Sequence, residues 1–455
     1  MKSDKQSSTM HLDETKPSSQ MKFDKSKALQ EKAHSLIPGG AHVYAKGDDQ
    51  YPVNAPAFIE RGQGCHIWDV DGNEFIEYGM GLRAVTLGHA FPSVIKAAAH
   101  QMQFGANFTR PHPIEIECAE MVSHLIPSAE MVKFGKNGSD ATTAAVKLAR
   151  AATGRDMIAV CADQPFFSVD DWFIGATPFS AGIPQGTKDL TVKFRFNDLE
   201  SLKSIFDQHP NKIACVMLEA ETSLAPVPGF LLAAQDLIRK NGALFVLDEM
   251  ITGFRWHLGG AQSYFGLSPD LSTFGKAIGN GFSVSAIVGK REIMELGGLR
   301  HNKKRVFLMS TTHGAETHAL AAAIETMRTY EREGVIEVLY RQGARLRKGL
   351  EKAIAEHHLQ GYFAVLGKDP NLVYGTYDEN KKPSQPFRTL FLQETIKRGL
   401  LMPSLVVSFS HTDADIDRTV ESIADALHVY GKAIREGVEE YLVGRPVKPV
   451  FREYN

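Results

Sequence analysis

Residues 244–281 read LFVLDEMITGFRWHLGGAQSYFGLSPDLSTFGKAIGNG, and the fold turns on this stretch. It opens with an apolar run, residues 243–247, of the kind that lies buried on both faces in a parallel sheet. The run ends in two acids, Asp248 and Glu249. In open α/β sheets, ligands sit outside the carboxyl ends of the strands. Further on, Lys276 lies in S-T-F-G-K-A-I-G-N-G. Its neighbours are small or apolar, which desolvates the ammonium and lowers its pKa. A lysine in that state forms Schiff bases.

Taken singly, a strand-end acid and a loop lysine are more often structural than catalytic. Together they suit pyridoxal phosphate. The lysine holds the aldehyde as an imine, and a carboxylate beside the ring nitrogen keeps the pyridinium protonated, so that the ring acts as an electron sink. Asp248 is the candidate carboxylate and Lys276 the candidate lysine.

The run D-E-M-I-T-G-F-R, then G-G-A-Q-S-Y-F-G-L-S-P-D-L, then G-K-A-I-G-N-G resembles the cofactor-lysine region of class III aminotransferases, and within them the branch of glutamate-1-semialdehyde 2,1-aminomutase. The resemblance implies an α/β chain of the fold-type I pyridoxal-phosphate-dependent transferases. These have a large domain with a mostly parallel, seven-stranded sheet and a smaller α+β domain built from both chain ends. It implies Lys276 as the Schiff-base lysine and Asp248 as the ring-nitrogen partner. Met250 stands where relatives usually carry a valine against the ring face.

The 455 residues suffice for two domains. A formal net charge of −2 gives no basic surface for nucleic acid or an anionic membrane. Cys65, Cys118, Cys161 and Cys215 lack metal-site spacing and read as reduced thiols of a cytoplasmic protein. No apolar stretch is long enough to span a bilayer. Residues 1–25 have charge but no apolar core, which argues against a secretory signal and for a flexible tail.

From residue 26 the spacing predicts a helix to residue 36, stopped by Ile37-Pro38-Gly39-Gly40. Short strands follow, with Asp71-Gly72 as a hairpin signal, and then Leu87-Gly88-His89-Ala90-Phe91-Pro92. The same order of motifs occurs at the start of the family, which assigns residues 26–90 to the smaller domain. Arg83 falls in the loop that faces substrate in relatives, and an arginine there suits a bidentate clamp on a substrate carboxylate. The plainer reading is an interdomain ion pair. Tyr44, in the I-P-G-G-A-H-V-Y loop, is a second candidate for lining the pocket.

A strand over residues 131–134 leads through Gly135-Lys136-Asn137-Gly138-Ser139-Asp140-Ala141 into a helix. Free N–H groups and the dipole at such a start favour an anion. Gly138 allows close approach and the Ser139 hydroxyl can donate. The alternative is a capped helix start; the family resemblance points to the cofactor phosphate. In Asp163-Gln164-Pro165-Phe166-Phe167-Ser168 relatives carry Y-H-G, so Phe166 takes the place of the aromatic that stacks on the ring. Core packing is the competing reading for both phenylalanines. Residues 213–218 form another buried run ending at Glu219, which the family places near the ring hydroxyl or the substrate approach.

In Ser310-Thr311-Thr312-His313, Thr312 matches a threonine that in relatives reaches the phosphate of the neighbouring subunit, which implies a homodimer. His313 and His318 do not have the spacing of a helical metal pair, and no metal site is expected. The resemblance assigns residues 91–330 to the large domain and 331–455 to the C-terminal part of the small one. Near its end Met402-Pro403-Ser404 runs directly into an apolar strand. The aminomutase has an insert there with a glutamate acting on the substrate side, and this chain has no counterpart.

Two activities fit. One is an aminotransferase working on small, carboxylate-bearing amino and oxo compounds. The other is the aminomutase, which keeps its amine within one molecule. A catalytically inactive binding protein is the third reading, and retention of both Asp248 and Lys276 speaks against it.

Overall fold

The computed structural model describes residues 21–454. The strands are β1 (Ile59–Gln63), β2 (His66–Asp69), β3 (Glu74–Glu77), β4 (Met131–Gly135), β5 (Met157–Cys161), β6 (Thr191–Phe194), β7 (Ile213–Leu218), β8 (Leu244–Asp248), β9 (Leu271–Phe274), β10 (Ser285–Gly289), β11 (Phe363–Leu366), β12 (Val373–Thr376) and β13 (Leu400–Leu401). Seven of them make the main sheet, in the order β4-β10-β9-β8-β7-β5-β6. Strand β10 runs antiparallel to β4 and β9, and the other pairs are parallel. The expected mostly parallel, seven-stranded sheet is therefore present.

Its central strands are apolar because both faces are covered. Every residue of β5 and of β7 is buried. Burying one Ile, Val or Leu side chain contributes about 1.5–3 kcal/mol, so a charge at Val216, which is 0% exposed, would break this layer. Helix α1 (Gly138–Thr153) lies on the sheet through Ala141, Ala144, Ala145, Leu148 and Ala149. These small residues let the helix approach closely. Gly154, at φ 68°, ends it in the left-handed region that favours glycine.

The two chain ends share a second sheet, β1-β2-β3-β13. Strand β13 pairs in parallel with β3 through Leu400 opposite Ile76. Helices α2 (Thr317–Glu333), α3 (Val335–Glu356) and α4 (Asp413–Glu436), with the β11–β12 hairpin, complete the C-terminal part. Gly334, at φ 59°, separates α2 from α3.

The first helix begins at Asp24, slightly before the spacing suggests. The cause is tertiary. The backbone N–H groups of Lys25 and Ser26 donate to the Asp71 carboxylate at the hairpin, at 2.8 and 2.9 Å. Met21 and Phe23 pack beside Ile67, Phe75, Ile396 and Leu401. Of the expected tail, residues 1–20 lie outside the described residues. All four cysteines are free and buried. No helix among the described residues is long and apolar enough to cross a membrane.

Candidate active site

Strand β8 ends on Asp248, which is 2% exposed. Its Oδ1 accepts from the Met250 N–H at 2.9 Å and from the Thr273 hydroxyl at 3.1 Å. Both bonds fall on one oxygen, Oδ1. The neighbouring acid has a different task. Glu249 accepts from the N–H groups of Ala261 and Gln262, at 2.8 and 2.9 Å, and from the Thr252 hydroxyl. It thus anchors the start of the helix Gly260–Phe265. A Cβ on Gly260 would lie 2.5 Å from that carboxylate, which accounts for the glycine.

Glu219 follows the last residue of β7, and Leu218 pairs with Leu247 of β8. The parallel register therefore sets Glu219 beside Asp248 on one face. Glu219 is 4% exposed. Gln164 fixes its backbone, accepting from the Glu219 N–H at 2.8 Å and donating to its carbonyl at 2.7 Å. Its carboxylate Oε2 is buried without a hydrogen-bond partner.

Lys276 sits just beyond β9 with φ 44°, a strained conformation of the kind that collects at reactive positions. Burial lowers its pKa, and the positive charges of Arg83 and Arg255 push the same way, against Asp248 and Glu219. Burial pushes the Asp248 carboxyl up to about 6, against the pull of Lys276. Burial and then the charge of Asp248 push Glu219 up to about 8. Two acids and one base thus meet in a poorly solvated corner, where the neutral forms are favoured.

Arg83 joins this group from the turn that follows β3. It ends a left-handed turn in which Met80, Gly81, Leu82 and Arg83 have φ of 42°, 57°, 58° and 72°. Each non-glycine residue there costs ~1–2 kcal/mol. The Arg83 Nε donates to the Asn371 side-chain oxygen at 2.8 Å. Behind the turn lies a cavity of about 720 Å³ lined by Ile37, Val43, Tyr51, Gly79, Leu82 and Pro403. Neither Lys276 nor Asp248 lines it, so the site is marked by its chemistry rather than by the open volume.

The start of α1 is ordered by Asp140, whose Oδ2 accepts from the N–H groups of Lys136 and Asn137, both at 2.9 Å. The Ser139 hydroxyl accepts from the Val169 N–H at 3.0 Å. A Cβ on Gly138 would lie 2.8 Å from Met250 Sδ, and one on Gly275 2.7 Å from the same sulfur. The Met250 side chain therefore fills the gap between the glycine of the helix start and the glycine before the lysine.

The other residues singled out in the sequence fall as follows. Phe166 is 47% exposed, with its ring edge-on to Phe173 at 6.1 Å. Phe167 is 2% exposed and belongs to the core, also against Phe173. The core-packing reading holds for Phe167, and Phe166 lies outside the core. Thr312 is exposed, and its carbonyl accepts from the Asn107 side chain at 3.0 Å. Tyr44 is 69% exposed and tilts against Phe179 at 5.6 Å. Sequence reasoning missed Gln164, Arg255 and Asn371. Arg255 is the arginine of the G-F-R run, the only one of the three with a signal in the sequence.

These residues fit pyridoxal phosphate: a buried carboxylate at Asp248, a desolvated lysine, an unsatisfied buried oxygen on Glu219, and a helix start with glycine and serine. The comparisons with known proteins agree. Residues 47–427 match the family aminotransferase class-III. A glutamate-1-semialdehyde 2,1-aminomutase from Roseiflexus castenholzii is 34% identical over 92% of this chain and 100% of its own length. The FumI protein of Sphingopyxis sp. MTA144, in its PLP-bound form, superposes with a TM-score of 0.81 at 28% identity, over 93% of this chain and 98% of that one. An omega-transaminase from Sphaerobacter thermophilus gives 0.79 at 26% identity, over 90% and 98%. With the lysine and the acid in place on this sheet, the chain belongs to the class III aminotransferases and is a pyridoxal-phosphate-dependent enzyme.

Proposed function

We propose that the enzyme transfers an amino group between two small molecules, at least one of them carrying a carboxylate. The observation that carries this reading is the Arg83 guanidinium, held through Nε by Asn371 and near enough to Lys276 and Glu219 to act on both electrostatically. The direct run of Met402-Pro403-Ser404 into residues 405–407, without the aminomutase glutamate, supports it as well. The aminomutase remains the second reading, because that is the name of the curated relatives, which are similar over most of their length.

In this proposal Lys276 holds the cofactor at rest. Its Nζ would serve as the general base and acid of the proton transfer at the amine-bearing carbon. Its lowered pKa makes the neutral, proton-accepting form available. The Asp248 carboxylate keeps the ring nitrogen protonated. When bound, pyridoxal phosphate supplies the electron sink. Gly138 and Ser139 receive the phosphate at the start of α1. Phe166 and Met250 would be the side chains that pack against the ring. Arg83 holds the substrate carboxylate, with Glu219 beside it; Tyr44 is kept as an outer contact of the substrate.

Thr312, exposed in the single chain, is assigned to the phosphate of the partner subunit, which makes the enzyme a homodimer. Residues 26–90 and 331–455 are assigned to the smaller domain and 91–330 to the larger; the sheet shared by β1–β3 and β13 supports the division. Four buried free thiols favour a reducing compartment, and we place the enzyme in the cytoplasm.

The test is a visible spectrum of purified protein loaded with pyridoxal phosphate, with and without L-glutamate. Bleaching of the lysine-bound band with release of 2-oxoglutarate supports intermolecular transfer. A band that glutamate leaves unchanged moves the assignment to the mutase or to another donor.

A further inference from the structure

Arg83 is held from two sides. At its side chain, Asn371 accepts from Nε at 2.8 Å. Asn371 is 3% exposed and ends the short turn Asp369–Asn371. At its backbone, Arg255 donates through Nη2 to the Arg83 carbonyl at 2.8 Å and to the Thr86 hydroxyl at 3.0 Å. The same guanidinium donates through Nη1 to the Pro370 carbonyl at 3.2 Å. Arg255 is 0% exposed, and these acceptors are all neutral. One buried arginine thus joins the left-handed turn to the residue next to Asn371, and Asn371 closes the loop back to Arg83.

The arrangement matters for charge. A guanidinium bonded through Nε to an amide keeps both Nη groups and its full charge for an anion. A carboxylate in place of Asn371 would have neutralised it. Burial, and then the charge of Asp248, push the carboxyl of the nearby Glu219 up, which favours its neutral form. The side chain of Arg83 is long and has many rotamers, so its aim depends on what holds it. The strained turn beneath it persists only because its surroundings over-determine it.

We propose that Asn371, backed by Arg255, is the positioning residue that aims the Arg83 guanidinium at the substrate carboxylate, and that this clamp makes the enzyme select carboxylate-bearing substrates over uncharged ones. The inference rests on the reading of Arg83 given above. Removing Asn371 should leave Lys276 and Asp248 untouched and weaken only the recognition of the anion.

The experiment measures binding of butanoate and of butanamide, an uncharged analogue of the same length. Saturation-transfer NMR reads both on the loaded enzyme and on the cofactor-free protein, and the visible lysine-bound band reports that the site is intact. Wild type should prefer butanoate, and Arg83→Ala should lose the preference. Asn371→Ala should bind butanoate roughly tenfold more weakly, with butanamide unchanged. Asn371→Asp should lose more, since its carboxylate competes for Arg83. Thr86→Val, which removes one acceptor from Arg255, should give a smaller selective loss; it decides the matter if the Asn371 variants do not fold.

Unchanged butanoate binding in Asn371→Ala, or an equal loss for both probes, overturns the positioning role while leaving Arg83 in place. A wild type without preference, or an Arg83→Ala variant that keeps it, overturns the carboxylate reading of Arg83 and this inference with it.

Discussion

Glu219 and Asp248 stand side by side at the carboxyl ends of two parallel strands, one step beyond the pair Leu218 and Leu247. Two carboxyls so close and so buried do not both ionise readily. Glu219, with an unpartnered oxygen, carries the larger upward shift, to about 8 against about 6 for Asp248.

This sets the pH dependence of the cofactor-free protein. An acid whose folded pKa is raised contributes its stability below the unfolded value, ~4.3 for glutamate. That contribution is lost as the pH rises through the folded value, about 8 for Glu219. Glu219→Gln removes the titration. Relative to wild type it should gain roughly 3 kcal/mol between pH 5 and pH 8. Urea denaturation of both proteins at the two pH values measures this, and an unchanged difference would place the charge elsewhere.

Lys276→Ala should abolish both the lysine-bound visible band and turnover. Asp248→Asn should keep the band but lower turnover by roughly 10²–10³-fold, since it cannot hold the ring nitrogen protonated. An Asp248→Asn enzyme of near wild-type rate would remove Asp248 from its assigned role.

The sulfur of Met250 leaves no space for a Cβ at Gly138, which would lie at 2.8 Å. Gly138→Ala should therefore cost about 1–3 kcal/mol in the cofactor-free protein. In a Met250→Val background the penalty should fall by at least half, because the shorter side chain vacates the contact. A double-mutant cycle by denaturation reads the coupling. Additive costs would show that the two positions are independent.

Subunit mixing checks the assignment of Thr312 to the partner site. Thr312→Ala should weaken cofactor retention roughly tenfold through loss of a charge-assisted hydrogen bond. Lys276→Ala is inactive for its own reason. In a mixed dimer, the site with Lys276 intact receives a normal threonine from the other subunit. At limiting pyridoxal phosphate, the activity of the refolded mixture should therefore exceed the average of the two parents. No excess would mean that Thr312 acts within its own chain or not at all.

The local signals in this chain were strong wherever one element could be read alone. The apolar run at residues 213–218 coincides with β7. The helical spacing over residues 26–36 falls within the helix Asp24–Leu36. Burial on both faces gives an unbroken apolar run, and burial on one face gives a helical period, so these patterns survive without the fold. The start of the first helix was misjudged because the Asp71 carboxylate that anchors it comes from a hairpin far along the chain.

The site divides in the same way. Asp248, Lys276 and the Gly138-Ser139 turn lie in segments with their own chemical signature, and the sequence alone determined them as candidates, together with the family and its cofactor. Only the tertiary structure decided that Glu249 anchors a helix while Asp248 lies within electrostatic reach of Lys276, although the two acids are adjacent in sequence. It alone separated Phe167, in the core, from Phe166. It alone brought Asn371 and Arg255 to Arg83, from three distant parts of the chain. The physical reason is that a reactive residue type reports itself locally. The direction of its side chain, and the neutral groups that hold it there, depend on contacts made only when the two sheets close on each other.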